Sequence, residues 1–144
     1  MARTSTYLNF GRSTEEAFNF YKSVFGGEFE GDINRMGQVS LMPGQTPIAD
    51  ADKNLIMHIV LPILGGHRLM ATDAPESMGF KVNFGNNMHL NLEPDTKEET
   101  DRLFKGLSAG GVVEMPLQDM FWGDYFGSIT DKFGVKWMFN CAKK

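Results

Sequence analysis

The chain repeats itself at a spacing of 82 residues, and this constrains its fold more than any other feature. Leu8-Asn9-Phe10 returns as Leu90-Asn91-Leu92. A repeat is read first, because it fixes how many units there are before any single residue is interpreted. Ser13-Thr14-Glu15-Glu16 and Asp95-Thr96-Lys97-Glu98 follow at the same offset. Both have capping-box spacing. Ser13 and Asp95 are the expected N-caps, with Glu16 and Glu98 reaching back to them. Gly26-Gly27 and Gly110-Gly111 are the expected helix closers, since glycine takes the left-handed geometry that ends a helix. These signals make the second helix about two residues longer than the first.

The segments between caps and glycines are amphipathic. Ala17, Phe18, Tyr21, Val24 and Phe25 form one apolar stripe, and Thr100, Leu103, Phe104 and Leu107 the other. Before each helix comes a strand, Thr6–Phe10 or Met88–Leu92, whose side chains alternate between its two faces. After the first helix the strand signals are 28–36, 55–63 and 68–72; after the second they are 112–115, 125–130 and 136–140. The glycine before each final strand aligns Gly66-His67-Arg68-Leu69-Met70 with Gly134-Val135-Lys136-Trp137-Met138. Pro62 signals an edge or a bulge in its strand. Residues 73–85 read as a linker, and 37–53 as a long loop of the kind that is usually functional or disordered.

The order strand–helix–three strands therefore occurs twice. The expected fold is α+β: two βαβββ modules, about 1–80 and 85–144, in one domain spanning 1–144. They would form a curved sheet around a cup, with the helices outside. Strand parity puts Ser5, Tyr7, Asn9, Met70 and Thr72 on the cup wall from the first module. From the second it adds Asn87, His89, Asn91, Met138 and Asn140. The wall strands carry no Asp or Glu in this reading.

Composition excludes several classes. One Cys forms neither an internal disulfide nor a multi-thiolate zinc site. A net charge of −4 without a basic cluster argues against nucleic acid and anionic membranes as partners. No run of about 18 apolar residues is present, and Met1-Ala2-Arg3-Thr4 leads into no apolar segment of the secretory kind. The expectation is a cytoplasmic protein.

These residues resemble a known group. Tyr7-Leu8-Asn9-Phe10, then Ala17-Phe18-Asn19-Phe20-Tyr21 with Gly26, then Met57-His58 before Arg68-Leu69-Met70-Ala71-Thr72-Asp73 make up the first part of the likeness. Phe121-Trp122-Gly123-Asp124, Phe126-Gly127, Thr130-Asp131-Lys132-Phe133-Gly134-Val135 and Trp137 complete it. The chain resembles the PhnB-like family of the vicinal oxygen chelate superfamily, which includes glyoxalase I, bleomycin-resistance proteins and extradiol dioxygenases. The resemblance implies the doubled βαβββ fold and a homodimer. In metal-dependent members it implies His, Gln or Glu on the first and last strands of each module. Those positions fall at or next to Ser5, Met70, Asn87 and Met138, with Thr6, Tyr7 and His89 as neighbours. A thioether suits soft Cu(I) and not the hard divalent ions of such chemistry, so no metal cofactor is expected. A methyltransferase activity, sometimes attached to such sequences, has no support, because no glycine-rich nucleotide-binding turn follows a strand.

The expected ligand-binding residues are His58, Met70, Asn87, His89, Asn91, Trp122, Asp124, Phe126 and Met138. His58 is a possible acid or base. Asn87, His89 and Asn91 form a hydrogen-bonding row. Trp122 and Phe126 wall one side, and Asp124 orients a polar group. Each has a plainer role open to it: a satisfied histidine in a sheet, a solvated row, aromatic core packing. The expected function is the binding of a small polar molecule. The alternatives are a metal-dependent glyoxalase- or dioxygenase-type enzyme built on His58 or His89, and a non-enzymatic dimeric scaffold.

Overall fold

The structure, a computed structural model, describes residues 2–38, 43, 44 and 47–142. The chain divides into two compact units, Met1–Val82 and Asn83–Lys144. The first contains β1 (Thr6–Phe10), α1 (Thr14–Phe25), β2 (Asn34–Arg35), β3 (Ile56–Pro62) and β4 (Arg68–Asp73). The second contains β5 (Leu90–Leu92), α2 (Lys97–Ser108), β6 (Val112–Asp119), β7 (Tyr125–Thr130) and β8 (Lys136–Cys141). The architecture is α+β, with the βαβββ module used twice.

The sheets repeat each other strand for strand. The first has the order β1-β4-β3-β2 and the second β5-β8-β7-β6. In each, the first strand pairs parallel with the last and the remaining pairs are antiparallel. The helix covers one face. In the first unit Ala17, Phe18, Tyr21 and Val24 of α1 are buried, as are Leu69 and Ala71 of β4. In the second, Leu103 and Leu107 of α2 are buried with Trp137 and Phe139, and Phe104 meets Phe139 edge-on at 5.1 Å. Strand alternation then leaves Tyr7, Asn9, Met70 and Thr72 on the open face of the first sheet, as parity predicts. Lys136, Met138 and Asn140 occupy the open face of the second.

The helix starts differ from expectation. Ser13 makes no side-chain cap; the α1 amide of Thr14 donates instead to Oδ1 of buried Asp73, 3.1 Å away on β4. The cap of α2 is Thr96, not Asp95, and its hydroxyl accepts from the Glu99 amide at 3.1 Å. Both helices consequently have 12 residues, and the second is not longer. β2 shrinks from the expected 28–36 to two residues, and β6 runs on to Asp119. Pro62 is the last residue of β3, where a missing amide costs little. The 37–53 loop begins and ends in single 3-10 turns, Met36–Gln38 and Asp50–Asp52. Its residues 39–42 and 45–46 lie outside the described residues.

Candidate functional site

Of the nine expected site residues, His58 and Met70 belong to the first unit and the other seven to the second. In the first sheet Met70 stands between Tyr7 on β1 and Val60 on β3. His58 stacks on Tyr7, with ring centroids 5.9 Å apart. The third histidine, His67, is bonded through Nε2 to the Thr6 hydroxyl at 2.9 Å.

The second sheet assembles a denser set. Its open face carries three successive rows, each two residues along the strands from the next, about 7 Å apart. Phe126 and Asn140 are cross-strand partners in the first row. Ser128, Met138 and Asn91 make the second. Thr130 and Lys136 make the third. Asp124 joins the first row, because the Asn140 amide Nδ2 donates to its Oδ2 at 3.1 Å. Trp122 also joins it, its ring edge-on to Phe126 at 6.3 Å. Trp122 is half exposed, and Phe121 beside it is 97% exposed at the hairpin tip. Asn87 lies outside the strands, in an exposed bend before β5.

His89 does not stand in a free row of amides. Its Nε2 is 3.4 Å from Oε1 of Glu114 on β6, and Oε2 of Glu114 accepts from the Lys136 ammonium at 2.8 Å. Lys136 also donates to the Thr130 hydroxyl at 2.9 Å. The expectation of a wall without carboxylates is therefore corrected: Glu114 serves this face. Parity could not place it, because β6 bulges between Val113 and Met115. The signal was Pro116, a residue that strands accept at edges and bulges.

Lys136 holds the Glu114 carboxyl below its ordinary value of 4.5, with a smaller contribution from His89. A lowered folded-state value means that the stabilisation is fully present above the unfolded value and disappears as pH falls through the lowered one. Glu114→Gln should therefore cost a fraction of a kcal/mol, about 0.2–1, near neutrality, because the pair is partly exposed. The gap in urea midpoint between wild type and variant should close as pH falls through the lowered range of the Glu114 carboxyl. A gap of constant size would show that the carboxylate charge is not the stabilising element.

On the helix-covered side of the same sheet lies a cavity of about 610 Å³ that includes none of the nine expected residues. Lys97 at its wall pairs with Asp119 at 2.7 Å and lies over the Tyr125 ring. The Tyr125 hydroxyl donates to Asp101 at 2.6 Å, and its pKa is pushed up to about 12, chiefly by that bond.

A family profile for the glyoxalase/bleomycin resistance protein/dioxygenase superfamily matches residues 7–139. Protein YjdN of Escherichia coli is 31% identical over 97% of this chain and 95% of its own length. The PhnB protein of Bacillus cereus is 30% identical, covers 98% of this chain with all of its own, and superposes with a TM-score of 0.73. The chain belongs to the PhnB-like family of this superfamily. Protein PA1353 of Pseudomonas aeruginosa is similar along the full length of both chains, at 35% identity and a TM-score of 0.83.

For metal-dependent members of the superfamily, the resemblance puts ligands on the first and last strands of each module. In this PhnB-like chain the ladders place Tyr7 beside Met70 and Asn91 beside Met138. Ser5 and Asn87 are not at those levels. In each sheet one of the two donors is a thioether, Met70 or Met138, a soft ligand poorly matched to a hard divalent ion. Among the described residues no group of three or more His, Cys, Asp or Glu is arranged to hold a metal. His89 and Glu114 are a pair without a third such donor.

Proposed function

We propose that this PhnB-like protein binds a small polar organic molecule on the open face of its second sheet, without a tightly held catalytic metal. One observation carries the reading. An aromatic pair, Trp122 and Phe126, borders two rows of hydrogen-bonding groups, partly exposed Asp124 and Asn140 and then exposed Asn91 with buried Ser128, on the side that α2 leaves uncovered. Binding sites combine apolar walls with a few placed polar groups in this way. Met138 at the centre adds an adaptable, polarisable surface. Donor chemistry at the family's ligand positions supports the absence of a metal. We also propose that the protein works as a homodimer, as the family resemblance implies, and in the cytoplasm, in keeping with its single cysteine.

The two tryptophans make the test direct. Trp137 is fully buried, whereas Trp122 is 50% exposed on the proposed site. Acrylamide quenching therefore reports Trp122. The small-molecule filtrate of a cell extract should protect Trp122 saturably, and Asn140→Ala should weaken that protection at least several-fold. Native mass spectrometry of the purified protein should show a dimer carrying a bound species of low mass. If the filtrate leaves quenching unchanged and no adduct is found, the reading is wrong. Stoichiometric divalent metal that activates turnover would favour the enzymatic alternative instead.

A further inference from the structure

The open face of the second sheet is not electrically balanced. Its charged side chains are Lys136, Glu114 and Asp124. Lys136 and Glu114 neutralise each other at 2.8 Å, and His89 approaches Glu114 rather than Asp124. Among the described residues the Asp124 carboxylate receives a single hydrogen bond, from the Asn140 amide, and no cation pairs with it. An amide supplies a hydrogen bond but no charge. The carboxylate is partly buried, so solvent and salt screen it less than they would a surface aspartate.

The surroundings of Asp124 define what would complement it. Asn140, which holds the carboxylate, is the cross-strand partner of Phe126, so the charge and that ring share one end of the sheet. The Trp122 ring meets Phe126 at 66° between planes, and half of Trp122 remains open. Aromatic faces attract cations through the negative potential of the ring, and a carboxylate adds full charge to that attraction. An anion would find the reverse: among the described residues the ammonium on this face, Lys136 two rows away, is already engaged by Glu114 and Thr130.

We propose that this corner holds the cationic group of the ligand, an ammonium carried on a short apolar body. The inference rests on the reading that this face binds small molecules, and adds the charge class of what it takes. The geometry assigns Asp124 as the charge-selecting residue, Asn140 as the residue that positions it, and Trp122 with Phe126 as the walls.

Three probes of nearly equal shape separate charge from shape: choline, its neutral isostere 3,3-dimethyl-1-butanol, and the anion 3,3-dimethylbutanoate. Protection of Trp122 from acrylamide is measured for each. Choline should protect saturably, at concentrations at least tenfold below those the alcohol requires, and the anion should protect least. Asp124→Asn keeps the shape and should erase the advantage of choline over the alcohol. Equal protection by the alcohol, or stronger protection by the anion, overturns the inference while leaving the binding face intact. Protection by none of the three, and none by the extract filtrate, overturns the binding face as well. The wild-type comparison stands even if the variant folds poorly.

Discussion

Asp131→Ala is expected to destabilise the protein by about 3–5 kcal/mol. Asp131 is a buried carboxylate in the β7–β8 turn, and three donors converge on it. Oδ1 accepts from the backbone amides of Phe133 at 2.8 Å and Val135 at 3.0 Å. Oδ2 accepts from Trp137 Nε1 at 2.9 Å, and Trp137 is itself fully buried. Removing the carboxylate leaves these donors unsatisfied, at about 1–3 kcal/mol for each that water cannot reach. A loss of this size is a large share of the roughly 5–15 kcal/mol that holds a typical domain together. Asp131→Asn should fall between wild type and Ala, because one amide oxygen remains but an NH2 group now faces a donor. Urea denaturation measures both. If Asp131→Ala shifted stability by under about 1 kcal/mol, the turn would not depend on this network.

This aspartate also shows what a sequence conceals. Within Thr130-Asp131-Lys132-Phe133-Gly134 the residue types announce a turn, and a turn is found. Nothing local reveals that the same carboxylate anchors a tryptophan six residues on. Asp73 is a parallel case. Its Oδ1 caps α1 at Thr14, and its Oδ2 accepts from the Ile56 amide at 2.8 Å. The Ser13 signal for a local cap was real in sequence but lost to a carboxylate brought from 59 positions away. In the second unit the sixth residue of the matching strand is Cys141, a poor acceptor, and the cap is local Thr96. The repeat predicted a helix at the same place in each unit; it did not predict that the two are equally long or that each is started by a different device.

The same distinction runs through the candidate site. Parity placed Met70, Asn91, Met138 and Asn140 because regular strands obey period two. The aromatic segment of Trp122, Asp124 and Phe126 was legible as a dense motif, and the structure brings its three members to one end of a sheet. Glu114 and its partner Lys136 were not read as part of the site. Glu114 lies in a bulge where alternation fails, and Lys136 gains its meaning only from the carboxylate facing it. What was missed is therefore what depends on pairing between strands rather than on position within one.

The last prediction separates two neighbouring glycines that read alike in sequence. Gly110 and Gly111 both looked like helix closers. Gly110 has φ +76° and follows the α2 cap residue Ala109, so it is the closer. A Cβ there would meet only the flexible Lys132 side chain, at 3.3 Å. Gly110→Ala should cost about 1 kcal/mol, the penalty of left-handed geometry for a residue with a side chain. Gly111 needs no unusual dihedral but has no room: its Cβ would lie 2.3 Å from the Thr130 carbonyl oxygen and 2.9 Å from Asp131 backbone atoms. Backbone cannot rotate away as a side chain can. Gly111→Ala must push the end of β7 off the start of β6, and with it the Asp131 turn. A loss of at least about 3 kcal/mol is expected, beyond the usual range for overpacking by one methyl because the obstacle is main chain. Thermal or urea unfolding of the two variants side by side decides the matter. Equal costs would mean that both glycines serve the helix end, and that the close approach at Gly111 relaxes freely.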